Sequence, residues 1–278
     1  MAAEQSNPHV AAQKFFDKIA DDYTARSQTA VFNVSSLSFS RRRDIVTRLM
    51  LATPHGGTVL DYGMGPAVFG AAAVQNGLRY VGGDISPKMV ELAKQMNLPN
   101  AEFHVGDLNL LDKFQKSADT VLLIGLIDYL QEPEIGLQKL ARCVKPGGRL
   151  IMSFRNHNSV PRVLRNSAKA IWRGLKKFGK VGTARCAVRS SQRDDPTTAF
   201  SAPVLENSFV PRRDLIPLLR SEGFANDEVN YLDCSPVFFN LPLPKPIWKI
   251  WKRADEIFSC RALSWMCASG VLVARGKR

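Results

Sequence analysis

Residues 58–66 have the sequence TVLDYGMGP, a short apolar strand that ends around an acidic residue and then breaks into a glycine turn. About twenty residues later, a second strand with the sequence YVGGD ends at Asp84. Glycines let a backbone approach a ligand closely, and a carboxylate at the next strand tip can accept hydrogen bonds from ribose hydroxyls. The two features therefore predict a nucleotide pocket at the edge of an α/β sheet.

Strand and helix signals alternate around this stretch. Predicted strands cover 58–62, 79–83, 101–105, 119–124, 149–154, 229–232 and 270–274, and predicted helices cover 10–25, 39–51, 66–76, 87–96, 133–144 and 211–222. Such alternation favours a parallel sheet with helices on both faces. The alternation stops after Phe154 and resumes at Pro211, so an insertion is expected between them.

A dinucleotide cofactor would require the pattern G-x-G-x-x-G from Gly63 onward. Gly63 and Gly65 satisfy its first two glycine positions, but the sixth position is Val68. No second mononucleotide-binding half follows along the chain. Both observations weaken NAD or FAD as the ligand.

Taken together, the motifs resemble those of class I S-adenosylmethionine-dependent methyltransferases that act on small molecules. They occur in the order of that family, at 16–23, 59–65, Asp84, 106–108, 123–130 and 144–150. The resemblance implies a Rossmann-like, doubly wound, mostly parallel seven-stranded sheet, with an N-terminal helical lid and an insertion between strands five and six. It also implies S-adenosyl-L-methionine as the cofactor.

The resemblance assigns cofactor contacts motif by motif. The glycine turn would pack against the methionine part of the cofactor, Asp84 would bind both ribose hydroxyls, and Asp107 would accept from the adenine amino group. The expected cofactor-binding residues are Asp61, Gly63, Gly65, Asp84, Ile85, Met89, Asp107, Leu108, Gly125 and Leu126. Where many members have a third glycine, this chain has Ala67, which implies a stiffer loop.

Methyl transfer from a sulfonium requires the protein mainly to position the acceptor. Methyl transfer is an in-line displacement with a good leaving group, so orientation and exclusion of water carry much of the acceleration. A general base is needed only where the acceptor keeps a proton of high pKa, as an alcohol or phenol does. The catalytic candidates are His157 and Asp128, although His157 could equally be a loop residue and Asp128 a turn cap. The expected substrate contacts are Tyr23, Tyr129 and His157, and no metal is expected.

The remaining bulk features indicate a cytoplasmic protein. No apolar run approaches the roughly 18 residues that span a bilayer, and residues 1–10 lack the apolar segment of a secretory signal. The five cysteines are odd in number and form no CxxC pair, so reduced thiols are expected.

The positive charge is concentrated in the second half of the chain. The net charge is +13, and residues 151–278 carry 22 basic and 10 acidic residues, a net of +12. Residues 160–180 combine a helical apolar stripe with basic positions, and residues 246–253 repeat an aromatic-plus-basic pattern. Both segments are typical of interfacial helices, which predicts peripheral contact with an anionic membrane. The alternative is a cap over the substrate pocket whose basic face is simply solvated.

These observations predict a single methyltransferase domain with four parts: a helical lid at 1–52, a cofactor-binding core at 53–154, a basic cap insertion at 155–210 and a C-terminal part of the sheet at 211–278. The expected activity is methylation of a small organic or lipid-linked metabolite. O-methylation is the first expectation, and N- and C-methylation stay open. One alternative is a non-catalytic membrane-surface or partner-binding protein on the same scaffold. A nucleic-acid methyltransferase is less favoured, because strand four lacks the Asn/Asp-Pro-Pro-aromatic run and no RNA-binding appendage is recognisable.

Overall fold

The computed structural model of this chain describes residues 8–28, 34–157, 159–160, 209–232, 244–258, 264–265 and 267–277. Its strands are β1 (Thr58–Tyr62), β2 (Arg79–Asp84), β3 (Ala101–Val105), β4 (Ala118–Leu123), β5 (Val144–Arg155), β6 (Phe224–Leu232) and β7 (Ser269–Gly276). Its α-helices are α1 (Pro8–Gln28), α2 (Val34–Met50), α3 (Gly70–Gln75), α4 (Pro87–Gln95), α5 (Pro133–Cys143), α6 (Ile216–Ser221) and α7 (Lys245–Phe258). Short 3-10 turns cover Leu108–Phe114 and Ile127–Tyr129, and a π-turn covers Pro211–Leu215.

The seven strands form one sheet in the order β3-β2-β1-β4-β5-β7-β6. The first five pair in parallel, whereas β7 runs antiparallel to both β5 and β6. The chain order reverses between β1 and β4, so the carboxyl ends of these strands border the crevice where ligands bind in such sheets. The predicted fold class, a doubly wound and mostly parallel seven-stranded sheet, is confirmed.

The central strands are apolar on both faces because helices cover both faces of the sheet. Alternate residues of each strand enter separate cores. One core contains Leu60, Val121, Leu123, Leu150 and Met152, and the other contains Val59, Leu122 and Ile151.

The first helix after the glycine turn is shorter than predicted. The prediction began it at residue 66, but α3 begins at Gly70. Ala67 has a φ of +54°, and a left-handed conformation costs a residue with a Cβ about 1–2 kcal/mol. The structure therefore replaces the expected first helical turn with an irregular segment, and Ala67 adopts a conformation that favours glycine.

Two other elements differ from the predicted pattern. Strand β5 begins at Val144 and not at Arg149, since pairing with β4 shifts register between the pairs Ala118–Val144 and Thr120–Arg149. The single helix predicted over 211–222 has a π-turn as its first part. Pro217 has no NH to donate to the preceding turn, which explains the interruption.

The expectation of five reduced cysteines is wrong for Cys267. Cys143 is free and buried, whereas Cys267 is disulfide-bonded. Sequence spacing gave no signal for this bond, because cysteine pairing depends on which segments the fold brings together. Among the residues placed by the structure, no helix is long and apolar enough to cross a membrane.

The predicted parts of the chain lie partly within the described residues. Helices α1 and α2 occupy the region expected to form the lid. The amphipathic helix predicted at 160–180 lies outside the described residues, apart from Val160. The division into lid, core, cap and C-terminal part stays a prediction.

Candidate functional site

Asp84 and the glycine turn meet at the carboxyl edge of the sheet. Strands β1 and β2 pair in register, with Tyr62 opposite Gly83, so their ends lie side by side. Asp84 Oδ2 accepts the backbone NH of Gly65 at 2.9 Å, and Oδ1 accepts the backbone NH of Ser86 at 2.9 Å. Burial raises the pKa of the Asp84 carboxyl, and these NH groups partly offset the rise. The carboxylate is therefore held in a fixed orientation beside the turn.

Neighbouring side chains pack closely against the glycine turn. Gly63 and Gly65 have φ values of +74° and +55°. A Cβ at Gly63 would lie 2.7 Å from Leu126 Cδ2, and a Cβ at Gly65 would lie 3.5 Å from Tyr23 Cε1. Met89 is buried on α4, and its Sδ lies 4.0 Å from the same Gly65 position. The turn is therefore enclosed by side chains from α1, from α4 and from the segment after β4.

Asp61 faces away from solvent toward β2. It is 1% exposed, and its Oδ2 accepts the Tyr80 hydroxyl at 2.7 Å. Burial raises the pKa of Asp61 to about 7, against the lowering effect of the Tyr80 hydrogen bond. Asp61 thus supports the end of β1, and its predicted contact with the cofactor stays a prediction.

This buried carboxyl gives a prediction about pH. Unfolded Asp61 releases its proton near pH 4, whereas folded Asp61 keeps it up to about pH 7. Between these values the folded state binds more protons, so the free energy of unfolding falls as pH rises. Asp61→Asn keeps an acceptor for Tyr80 and cannot ionise, so we expect its stability advantage over the parent to be about 2–3 kcal/mol larger at pH 8 than at pH 5. Urea unfolding at both pH values measures this difference.

The matched control removes an exposed carboxylate. Asp112→Asn changes a side chain that is 56% exposed and should leave the pH dependence unchanged. Asp84 also has a raised pKa and is present in every variant; because its charge adds to the rise of the Asp61 pKa, only the difference between variants is interpreted. An equal fall in stability from pH 5 to pH 8 in the parent and in Asp61→Asn would contradict the prediction.

The end of β3 supplies the next expected contacts. Asp107 accepts from the backbone NH of Asn109 at 2.9 Å and from its Nδ2 at 3.2 Å. Burial raises the pKa of Tyr62, and Asp107 and Asp84 raise it further, so both carboxylates lie near that ring. Ile85 is half-buried directly after Asp84, and Leu108 packs against the core.

Helix α1 lies over the glycine turn. Asp17 accepts from the Ser86 hydroxyl, and Lys88 pairs with Asp21, so α1 is attached to the start of α4. Burial raises the pKa of Tyr23 and Arg42 lowers it, while Tyr129, Asp84 and Asp61 are its other charged or titratable neighbours. The structure therefore brings Tyr23 and Tyr129, both predicted substrate contacts, together with two predicted cofactor residues.

Arg42 on α2 is a site residue that the sequence did not single out. Its Nη1 lies 3.8 Å from where a Cβ of Gly125 would be, and its guanidinium lies over the Phe39 ring at 4.8 Å. Gly125 has a φ of +71°, and its NH donates to Ser153 Oγ at 2.7 Å. Among the described residues, no carboxylate pairs with Arg42. A half-buried cation therefore lies at the end of β4, available for an anionic ligand group.

Both carboxylate oxygens of Asp128 contact Arg155. Asp128 Oδ1 accepts the Arg155 backbone NH at 3.1 Å, and Oδ2 lies 3.5 Å from Arg155 Nε. Arg155 Nη2 in turn donates to the Tyr129 hydroxyl at 2.8 Å, and the Tyr129 ring meets Phe16 edge to face. In this arrangement Asp128 orients Arg155, and Arg155 orients Tyr129.

His157 lies at the rim and not beside the glycine turn. Its side chain is exposed, and its backbone NH donates to the Phe209 carbonyl at 3.0 Å. The Arg213 side chain lowers the pKa of Asp214, and His157 contributes to the same shift, which places His157 near Asp214. The catalytic and substrate roles of His157 stay predictions.

The region around the glycine turn and Asp84 is similar to known methyltransferases. The family model described as a methyltransferase domain matches residues 60–152. Ubiquinone biosynthesis O-methyltransferase of Coxiella burnetii (strain Dugway 5J108-111) is 28% identical over 109 residues, which are 38% of this chain and 47% of that protein. Demethylmenaquinone methyltransferase of Mycobacterium sp. (strain KMS) is 29% identical over 151 residues, which are 54% of this chain and 62% of that protein. The chain spans about half the length of the curated relatives it matches.

Solved structures share this fold. Magnesium protoporphyrin IX methyltransferase from Synechocystis PCC 6803, with SAH bound, superposes with a TM-score of 0.56 at 18% identity and covers 96% of this chain and 98% of that one. A putative methyltransferase from Haloferax volcanii, in complex with the Trm112 activator, gives a TM-score of 0.55 at 20% identity over 95% and 98% of the two chains. At such identities the likeness establishes the fold.

Proposed function

Residues 60–152 form a class I S-adenosylmethionine-dependent methyltransferase domain. From this premise we propose that the chain transfers a methyl group from S-adenosylmethionine to a small organic or lipid-linked acceptor. The observation that carries the proposal is the buried Asp84 carboxylate, which is held beside the glycine turn by the NH groups of Gly65 and Ser86. The names of the relatives support a small-metabolite acceptor. O-methylation is the proposed reaction.

The residues of the site fit this cofactor. The two Asp84 oxygens accept backbone NH groups, and a carboxylate has about four acceptor positions, so capacity for ribose hydroxyls is left. The positive φ of Gly63 and Gly65 suits residues without a Cβ, which let the backbone of the turn approach the methionine part of the cofactor closely. Arg42 provides a guanidinium for its carboxylate. When bound, S-adenosylmethionine supplies a methyl group on a positively charged sulfur.

Residues of α1 and of the segments after β4 and β5 are proposed to position the acceptor and to exclude water. Helix α1 closes the site through Asp17 and Ser86, and desolvation of this kind promotes methyl transfer. Tyr129, oriented by Arg155, and Tyr23 are the proposed acceptor contacts. His157 is the proposed base for an acceptor that must lose a proton, and Asp128 acts as a positioning residue through Arg155.

A methyl-transfer assay tests the proposal. The full chain is incubated with S-adenosylmethionine carrying a tritiated methyl group and with hydroxylated quinols, catechols, phenolic acids, vesicle lipids or transfer RNA. We expect transfer to a small or lipid-soluble acceptor by the parent and by Asp112→Ala, and none by Asp84→Ala. Label in the RNA fraction would support the nucleic-acid alternative. Vesicle binding without any binding of S-adenosylhomocysteine would support the non-catalytic scaffold.

A further inference from the structure

Helix α7 presents three isoleucines to solvent. Ile247, Ile250 and Ile257 are 46%, 69% and 68% exposed. At 100° per residue these positions fall within an arc of about 80° on one face of the helix. An exposed cluster of large apolar side chains on one helix face is a common mark of an interaction surface. We call this outward surface of α7 the isoleucine face.

The opposite side of α7 is fixed to the body of the protein. Asp255 is 3% exposed, and its Oδ2 lies 3.2 Å from Nε of Arg41 on α2. Lys252 Nζ lies 2.7 Å from Oδ2 of Asp44, which is also on α2. Trp248 and Trp251 are half-buried. The orientation of the helix is therefore set by these contacts, and it cannot rotate to bury the isoleucine face without breaking them.

The structure changes which residues of 246–253 carry the predicted interface. The sequence showed an aromatic-plus-basic pattern over 246–253, but in the structure the isoleucines are the large apolar side chains that face out. Lys249 and Arg253 are also exposed, beside the isoleucine face. In the part of the chain that the structure describes, neither of these two cations forms an ion pair with a carboxylate. The apolar surface is thus bordered by these two cations, and the nearby Glu256 carboxylate is paired with Arg41.

We propose that the isoleucine face of α7 docks on an anionic lipid surface. The isoleucines would enter the acyl boundary, and Lys249 and Arg253 would meet lipid phosphates, as in other interfacial helices. The net charge of +12 on residues 151–278 favours the same partner. A second copy of this chain fits less well, because a two-fold contact would set Lys249 and Arg253 close to their own counterparts. The proposal does not depend on methyl transfer.

The position of α7 also relates the surface to the site. Arg41, which pairs with Asp255, is followed by Arg42, whose guanidinium reaches Gly125. One helix therefore contacts both α7 and the end of β4. Docking through α7 would hold the site at a fixed distance from the lipid surface.

Vesicle co-sedimentation of the full chain tests the proposal. The probes are vesicles of phosphatidylcholine with phosphatidylglycerol and vesicles of phosphatidylcholine alone. We expect the parent to bind the anionic vesicles and not the neutral ones. The triple variant Ile247→Ser, Ile250→Ser, Ile257→Ser should lose about tenfold or more of the partition coefficient. The double variant Lys249→Glu, Arg253→Glu should lose a similar amount, and salt should weaken binding of the parent.

The matched control is Ile135→Ser on α5, an isoleucine that is 44% exposed, and it should bind vesicles as the parent does. Melting temperature and S-adenosylhomocysteine binding are measured for every variant, so loss of docking is separated from loss of fold or of cofactor binding. Absence of parent binding to anionic vesicles overturns the proposal. Parent-like binding of the triple variant also overturns it and assigns docking to another surface. Self-association that the triple variant abolishes, without vesicle binding, identifies a second copy as the occupant.

Discussion

Replacing Asp84 with alanine is expected to weaken binding of S-adenosylhomocysteine by about 100-fold or more, measured by isothermal titration calorimetry. Each hydrogen bond to an ionised acceptor contributes about 1.5–3 kcal/mol, and the carboxylate is placed to accept two ribose hydroxyls. A loss of about 3–5 kcal/mol raises the dissociation constant by about 100-fold to several thousand-fold. This is the largest binding effect we expect from a single substitution in the chain.

Two comparisons keep this result interpretable. Asp84→Asn keeps the size and one acceptor oxygen, so its affinity should fall between those of the parent and Asp84→Ala. Asp112→Ala removes an exposed carboxylate and should bind as the parent does. Because Asp84 also accepts the NH groups of Gly65 and Ser86, the melting temperature of each variant is recorded. A folded Asp84→Ala protein with parent affinity would show that the cofactor pocket is elsewhere.

Replacing Arg41 with methionine is expected to cost about 3–4 kcal/mol in the free energy of unfolding. The change removes the cation from Asp255, which is 3% exposed, and also its contact with Glu256 at 3.1 Å. Breaking a buried pair by removing one partner is costly because a charge is left in a poorly solvated place. Urea unfolding at neutral pH measures the effect.

The control for this variant comes from the same helix. Arg48 is exposed on α2, and Arg48→Met should change stability by less than about 0.5 kcal/mol. A double-mutant cycle of Arg41→Met with Asp255→Asn should give a coupling energy of about 2 kcal/mol or more. Additive effects in that cycle would show that the pair does not stabilise the contact between α2 and α7.

The bounds of two strands could be predicted because glycine, proline or asparagine residues flank each of them. The prediction over 58–62 matches β1, and the prediction over 101–105 matches β3. Asp84 and the glycine turn were likewise recognisable, since parallel strands that follow each other in the chain place their carboxyl ends together. The conformation of Ala67 was not predictable, because local propensity argues against a positive φ for alanine and only the surrounding fold imposes it.

The different roles of the three consecutive arginines on α2 could not be predicted from the sequence. Successive helix positions point 100° apart, so Arg41 pairs with Asp255, Arg42 reaches Gly125, and Arg43 is exposed. Which arginine faces the site depends on how the helix is rotated against the sheet. That rotation is set by the burial of residues such as Val46 and Met50 against distant strands, and no local motif encodes it.

The order of the sheet has a consequence for how the chain folds. Strand β6 precedes β7 in sequence, yet it joins the sheet only through β7, which pairs with β5 on its other side. During synthesis β6 therefore has no neighbour in the sheet until residues 269–276 have left the ribosome. In that interval the open edge of β5 and the unpaired backbone of β6 are exposed to other chains. The last two strands are thus assembled in the reverse of the order in which they are made.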